Sequence, residues 1–158
     1  MSDEMLYNAA ADLLERNLNA GRGEKTAFID SSGSYSYADV AQRANRVANM
    51  LASRGIEAEQ RVVLCMSDTI DLVAAFLGAI KAGIVPVPVN TRLTEKDYAY
   101  IVEDSRATGL IISKALLPAF KGCAEAARLK TVLISGTDAG KHELLSVAMN
   151  AAADTFET

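Results

Sequence analysis

From Arg61 onward, short continuous apolar runs alternate with helical periods of ten to fifteen residues, and this alternation constrains the fold more than any other feature. Val62-Val63-Leu64-Cys65-Met66 has no polar position at all, the pattern of a strand buried on both faces. A nearly all-apolar helix is predicted over Asp68–Ala82, ended by Gly83. Strand Ile84–Val89, helix Thr94–Ser105, strand Gly109–Ser113, helix Ala115–Ala127 and strand Thr131–Ser135 follow. Such a series builds βαβ units and a mainly parallel sheet, and right-handed crossovers put helices on both of its faces. The expected fold class is α/β, doubly wound.

Ahead of this region, Leu6, Ala10, Leu13, Leu14 and Leu18 mark an amphipathic helix over Met5–Asn19. Lys25–Asp30 and Ser34–Tyr37 then read as a hairpin around Ser31-Ser32-Gly33. Ser36 and Asp39 form a capping-box pattern for a helix whose apolar stripe is Val40, Ala44, Val47 and Leu51, with Gly55 closing it. Asp39 and Arg43 are spaced for an ion pair. Thr94 and Asp97 repeat the box, and Leu93 can staple to Tyr98. Two units are expected: an α/β subdomain over 1–135, and a short helix with a linker over 136–158, the tail from Asp154 being read as a linker toward a segment absent from this sequence.

Several functions are excluded by what is missing. The net charge of −4 and the interleaving of acids and bases disfavour a nucleic-acid partner. The longest apolar stretch, Leu72 to Ile80, is well short of the roughly 20 residues a membrane span needs. MSDEMLYNAA is not a signal peptide. Cys65 and Cys123 are far apart, which fits free thiols in a reducing cytoplasm. A single histidine, His142, rules out a zinc site built on imidazoles.

Two segments imitate phosphate-binding loops. Gly136-Thr-Asp-Ala-Gly140-Lys141-His142 is one residue short of G-x-x-x-x-G-K-[ST] and ends on histidine instead of a hydroxyl. Ser31–Ser36 is rich in small hydroxyl residues, yet sits in a hairpin with no following lysine. Asp68 and Asp71 read as helix-start residues. No catalytic residue, ATP site or metal site is assigned. One loop stands out, Val89-Asn90-Thr91-Arg92, because ligands of open α/β sheets bind beyond the strands' carboxyl ends.

Asp68-Thr-Ile-Asp-Leu-Val-Ala-Ala-Phe-Leu-Gly-Ala-Ile-Lys-Ala-Gly83, then Ile84-Val-Pro-Val-Pro-Val-Asn90, then Tyr98-Ala-Tyr-Ile-Val-Glu-Asp-Ser105, resembles the amino-terminal part of adenylate-forming enzymes, the acyl- and aryl-CoA ligases. The resemblance extends over Lys25 to Ser135. The run Gly83–Tyr100 is most similar to benzoate- and 4-hydroxybenzoate-type CoA ligases. It implies a carboxylate attacking ATP, with magnesium, to give an acyl-adenylate that the CoA thiol then captures. It also implies Arg92 as the cation for a CoA phosphate; the alternative is a solvated arginine pairing with Glu95 or the nearby acidic helix face. The family's Ser/Thr/Gly-rich loop ending Gly-x-Pro-Lys-Gly is absent. The chain is therefore expected to be an inactive fragment whose partners are the rest of the polypeptide and an aromatic carboxylate. Binding of ATP, magnesium or CoA is not assigned to the fragment itself. Pro86 and Pro88 leave one side of strand Ile84–Val89 without donors, so no ladder is expected there; self-association of the fragment through that edge, where the rest of the enzyme would otherwise cover it, is a further expectation. The competing reading is a stand-alone, non-catalytic binding or assembly module.

Overall fold

The computed structural model describes residues 7–158, so Met5 and Leu6 of the expected Met5–Asn19 helix lie outside the described residues, while Tyr7 and Asn8 precede the helix. Helix α1 spans Ala9–Asn19, and Asn8 caps it by accepting from the N–H groups of Ala10 and Ala11. The hairpin β1 (Thr26–Asp30) and β2 (Gly33–Ser36) is antiparallel. Helix α2 (Tyr37–Ser53) begins with both bonds of the Ser36/Asp39 capping box and ends at Gly55, whose φ of 71° is the left-handed turn a Cβ would resist. Its stripe Val40, Ala44, Val47 and Leu51 is buried. Asp39 is occupied by the cap, and the Arg43 guanidinium lies 5.1 Å over the Tyr35 ring, so the expected Asp39–Arg43 ion pair does not form.

Five parallel strands follow in the order β4-β3-β5-β6-β7: β3 (Arg61–Cys65), β4 (Val85–Pro88), β5 (Gly109–Ser113), β6 (Thr131–Ser135) and β7 (Glu143–Leu144). Side chains alternate between the two faces. Val62, Leu64, Ile111 and Leu133 point to the α2 side, where α3 (Ile70–Lys81) and α5 (Leu145–Asn150) also pack. Val63, Cys65, Leu110, Ile112 and Ile134 point to the side covered by α4 (Glu95–Asp104) and a 3-10 helix, Lys114–Phe120. The sheet is thus doubly wound.

Three local expectations differ. The helix expected over Ala115–Ala127 is a 3-10 helix that ends at Phe120 and dissolves into turns. Pro118 has no N–H to donate, and its ring collides with the carbonyl four residues back in an α-helix. Residues 136–158 are joined to the sheet: Glu143 and Leu144 pair with β6, while Leu145, Ala148 and Met149 enter the core. The start of α3 is not capped by the residues beside it. Thr69 makes no cap bond. Asp30, far away in the hairpin, accepts from Ile70 N–H at 2.9 Å, and Asp71 instead accepts from the Ser135 hydroxyl at 2.6 Å.

Candidate functional site

Parallel strands bring four loops to one end of the sheet. The first crossover leaves β3 by α3 on one face, and β5 leaves by the 3-10 helix on the other, so the winding reverses between β3 and β5. Ligands of such sheets sit outside the carboxyl ends at that reversal. Here the gap is bridged by Ser67 N–H donating to the buried Ser113 hydroxyl at 2.9 Å, which ties β3 to β5.

The loop after β4 is the most constructed of the four. Asn90 Oδ1 accepts from Arg92 N–H at 2.8 Å, closing an Asx turn. Beneath it, the Tyr98 hydroxyl donates to the Asn90 carbonyl at 2.8 Å and accepts from Leu93 N–H at 3.2 Å. Tyr98 is itself fixed: it is 1% exposed and stacks on Phe120 with centroids 4.4 Å apart. Thr94 and Asp97 complete both capping-box bonds at the start of α4. A cation is therefore presented on a rigid turn. The Arg92 side chain is exposed, and among the described residues it makes no ion pair; Glu95 does not reach it. Burial holds the Cys65 thiol, under Tyr98, above its ordinary pKa, which leaves it an inert core group. Cys123 is also buried and free.

Elsewhere, a cavity of about 460 Å³ opens beside the 3-10 helix. Lys114, Lys121, Lys141 and His142 line it over an apolar floor of Leu117, Pro118 and Ala124. Lys114 pairs with Asp138 at 2.8 Å and Lys141 with Glu125, while burial, then the Lys141 charge, lower the His142 pKa. This cationic set escaped the sequence reading. Its members come from two separate segments, the 3-10 helix with its end and the loop before β7, and the only signal was a lysine following directly on each of β5's end and Gly140.

Neither imitation phosphate loop survives. In Gly136–His142 the Asp138 carboxylate accepts from Gly140 N–H at 2.8 Å, and the loop runs into strand β7 where a Walker loop needs a helix. In the hairpin, Asp30 Oδ1 already takes the N–H groups of Ser32 and Gly33. Among the described residues no group of three or more His, Cys, Asp or Glu side chains is placed to hold a metal ion, and no helix is long and apolar enough to cross a membrane.

Comparison with known proteins agrees with this architecture. Residues 14–155 match the family described as AMP-binding enzyme. The chain is 50% identical over 115 residues to benzoate–CoA ligase of Thauera aromatica, covering 72% of this chain and 22% of that protein. It is 45% identical over 131 residues to a 4-hydroxybenzoate–CoA/benzoate–CoA ligase of Rhodopseudomonas palustris, covering 82% of this chain and 24% of that one. The structure superposes on a benzoate CoA ligase from Burkholderia xenovorans with a TM-score of 0.85 and 40% identity, over 94% of this chain and 29% of the other. The chain thus spans less than a third of the length of these relatives.

Proposed function

The chain belongs to the AMP-binding enzyme family, and from that membership we propose that it is the N-terminal portion of an aryl-carboxylate–CoA ligase. The whole enzyme would join a carboxylate, ATP and CoA into acyl-CoA, AMP and pyrophosphate, in the cytoplasm. Benzoate or a hydroxybenzoate is the proposed acid. The observation that carries the proposal is the likeness to benzoate- and hydroxybenzoate–CoA ligases across most of the chain.

Within that reaction these residues bind and orient. ATP would bring magnesium, which neutralises charge on the reacting phosphates; no described residue is assigned to it. Arg92 is proposed to hold a phosphate of CoA. Its planar fork of donors suits phosphate, and the Asn90–Tyr98 brace keeps its backbone from moving when the ligand arrives. The cavity beside the 3-10 helix adds little to this, because Lys114 is paired with Asp138 and Lys141 with Glu125, which also lines it, leaving Lys121 as its cation without an ion pair among the described residues. The Ser/Thr/Gly-rich ATP loop does not occur in this sequence, so the chain alone is proposed to lack adenylating activity. Copies of the isolated chain could associate only through apolar side chains near the sheet edge, Phe76, Val85 and Pro88 among them, because Pro86 and Pro88 have no N–H to extend a ladder.

Carboxylate-dependent exchange of pyrophosphate into ATP tests the reading. The polypeptide carrying this chain together with its downstream sequence should catalyse it with benzoate or 4-hydroxybenzoate, and the 158-residue chain should not. Exchange by the short chain, or none by the long one with any aromatic acid, would overturn the proposal.

A further inference from the structure

Lys81 is 6% exposed, an unusual place for an ammonium, and it donates to Asn45 Oδ1 on α2 at 2.8 Å. That bond decides which way the Asn45 amide faces. With its oxygen turned to Lys81, its Nδ2 donates on the opposite side to the main-chain carbonyl of Asp154 at 2.7 Å. One helical turn on, Asn49 Nδ2 donates to the carbonyls of Ala153 at 2.9 Å and Thr155 at 2.8 Å. Between them, Arg46 Nη1 reaches the carbonyl of Ala152 at 2.9 Å and, more loosely, that of Met149 at 3.4 Å. Beyond Ala151 the segment has no regular secondary structure, yet three side chains of one helix take the carbonyls of four consecutive residues.

These hydrogen bonds end on main-chain oxygens, and beside them the Arg46 guanidinium stands 3.8 Å from the Asp154 carboxylate, so the path of the segment is set mainly through its backbone. The Asn45 and Asn49 bonds to it face solvent, where each is weak. The Arg46 bond to Ala152 is partly buried and carries a full charge, so it is the strongest of the set.

We propose that Asn45, Arg46 and Asn49, anchored on buried Lys81, form a main-chain clamp that holds residues 152–155 against α2 and sets the direction in which the polypeptide leaves the sheet. Arg46 is its principal positioning residue. Resting on the ligase reading, the segment launched by this clamp carries the ATP-binding loop, so the clamp governs ATP and leaves CoA untouched.

Nitrogen-15 relaxation on the 158-residue chain tests the clamp directly. In Arg46→Ala the backbone order parameters of residues 152–156 should fall from about 0.85 to below about 0.6, while those of α2 stay rigid. Arg46→Lys, still a cationic donor, should retain most of the order. Asn49→Ala should show the same loss at smaller amplitude, which keeps the test alive if Arg46→Ala does not fold. In the longer polypeptide, Arg46→Ala should raise the KM for ATP in pyrophosphate exchange about tenfold, restored in part by Arg46→Lys, with the KM for CoA in acyl transfer unchanged. Unaltered order at 152–156 in both alanine variants would refute the clamp. Equal rises in both KM values would refute its selectivity for ATP. If the wild-type long polypeptide shows no exchange at all, the ligase reading fails, and the relaxation data still decide the clamp.

Discussion

The two helices flanking β4 begin in opposite ways. Helix α4 is capped by its own neighbours, Thr94 and Asp97, three residues apart. Helix α3 has no such cap and borrows one from Asp30, forty residues earlier, while its Asp71 is tied to Ser135 at the end of β6. One start is a property of a short peptide; the other exists only once the hairpin, α3 and the sheet have met. Changes near α4 should therefore stay local, and changes near α3 should spread.

The largest effect is expected where α3 crosses α2. A Cβ on Gly78 would stand 2.6 Å from the Ala44 carbonyl oxygen and 2.6 Å from Val47 Cβ, so only hydrogen fits between the helices. Gly78→Ala should cost about 3 kcal/mol, the upper part of the usual range for overpacking, read as a fall in the urea midpoint. Tolerance of alanine there would show that the α2–α3 contact is looser than described.

On the α4 side, Arg92→Ala should leave that midpoint unchanged because the side chain is exposed and makes no ion pair among the described residues. In the longer polypeptide it should raise the KM for CoA about ten- to a hundredfold, corresponding to roughly 1.5–3 kcal/mol for a charge-assisted contact. Adenylate formation should be nearly intact. An equal loss in both half-reactions would move Arg92 from CoA binding to a structural role.

Thr94→Ala removes the hydroxyl that accepts from Asp97 N–H and donates to the Asp97 carboxylate, and about 1 kcal/mol is expected. Its effect should be confined to the first turn of α4 in amide exchange. Asp30→Ala should instead raise exchange in the hairpin turn and at Ile70 together; loss at only one of them would break the contrast between the helices.

The smallest effect is that of pH. The N–H of Ile70 is the main reason the Asp30 carboxyl titrates below its ordinary range, and the Thr94 hydroxyl is the main one for Asp97. A depressed folded-state pKa means the stabilisation is complete above the unfolded value, about 3.9, and is lost as pH falls through the folded one. Carboxyl shifts followed by NMR should show both groups titrating low. Asp30→Asn should flatten the acid limb of stability without affecting α4.

The same contrast explains what the sequence disclosed. Much that rests on residues within one turn was legible: both capping boxes, the Gly55 stop, the buried strands, and the turn after β4 that carries Arg92, though the expected Asp39–Arg43 pair was lost to the Tyr35 ring. Pro118 was legible in principle, since a proline in a helix interior forbids what the apolar pattern around it suggests. The Asp30 cap and the Asn45–Asn49 bonds to the tail join residues from 40 to more than 100 positions apart, and β7 meets β6 only after the intervening loop has turned back. No local period records such contacts. The cationic cavity was hidden for that reason as well.

The edge of the sheet has a consequence for how such a protein is made. Val85 and Val89 donate inward to Gln60 and Leu64, which leaves Pro86 and Pro88 facing outward with carbonyls and no N–H. Chains emerge from the ribosome N-terminus first, and a unit like this one folds while later residues are still being added. During that interval a bare parallel edge would be a template for neighbouring nascent chains. The two prolines make the rim refuse such templating: a passing strand finds acceptors, but nothing that donates to it. Replacing both would be felt first in the yield of soluble protein during rapid synthesis, before any change in the finished fold.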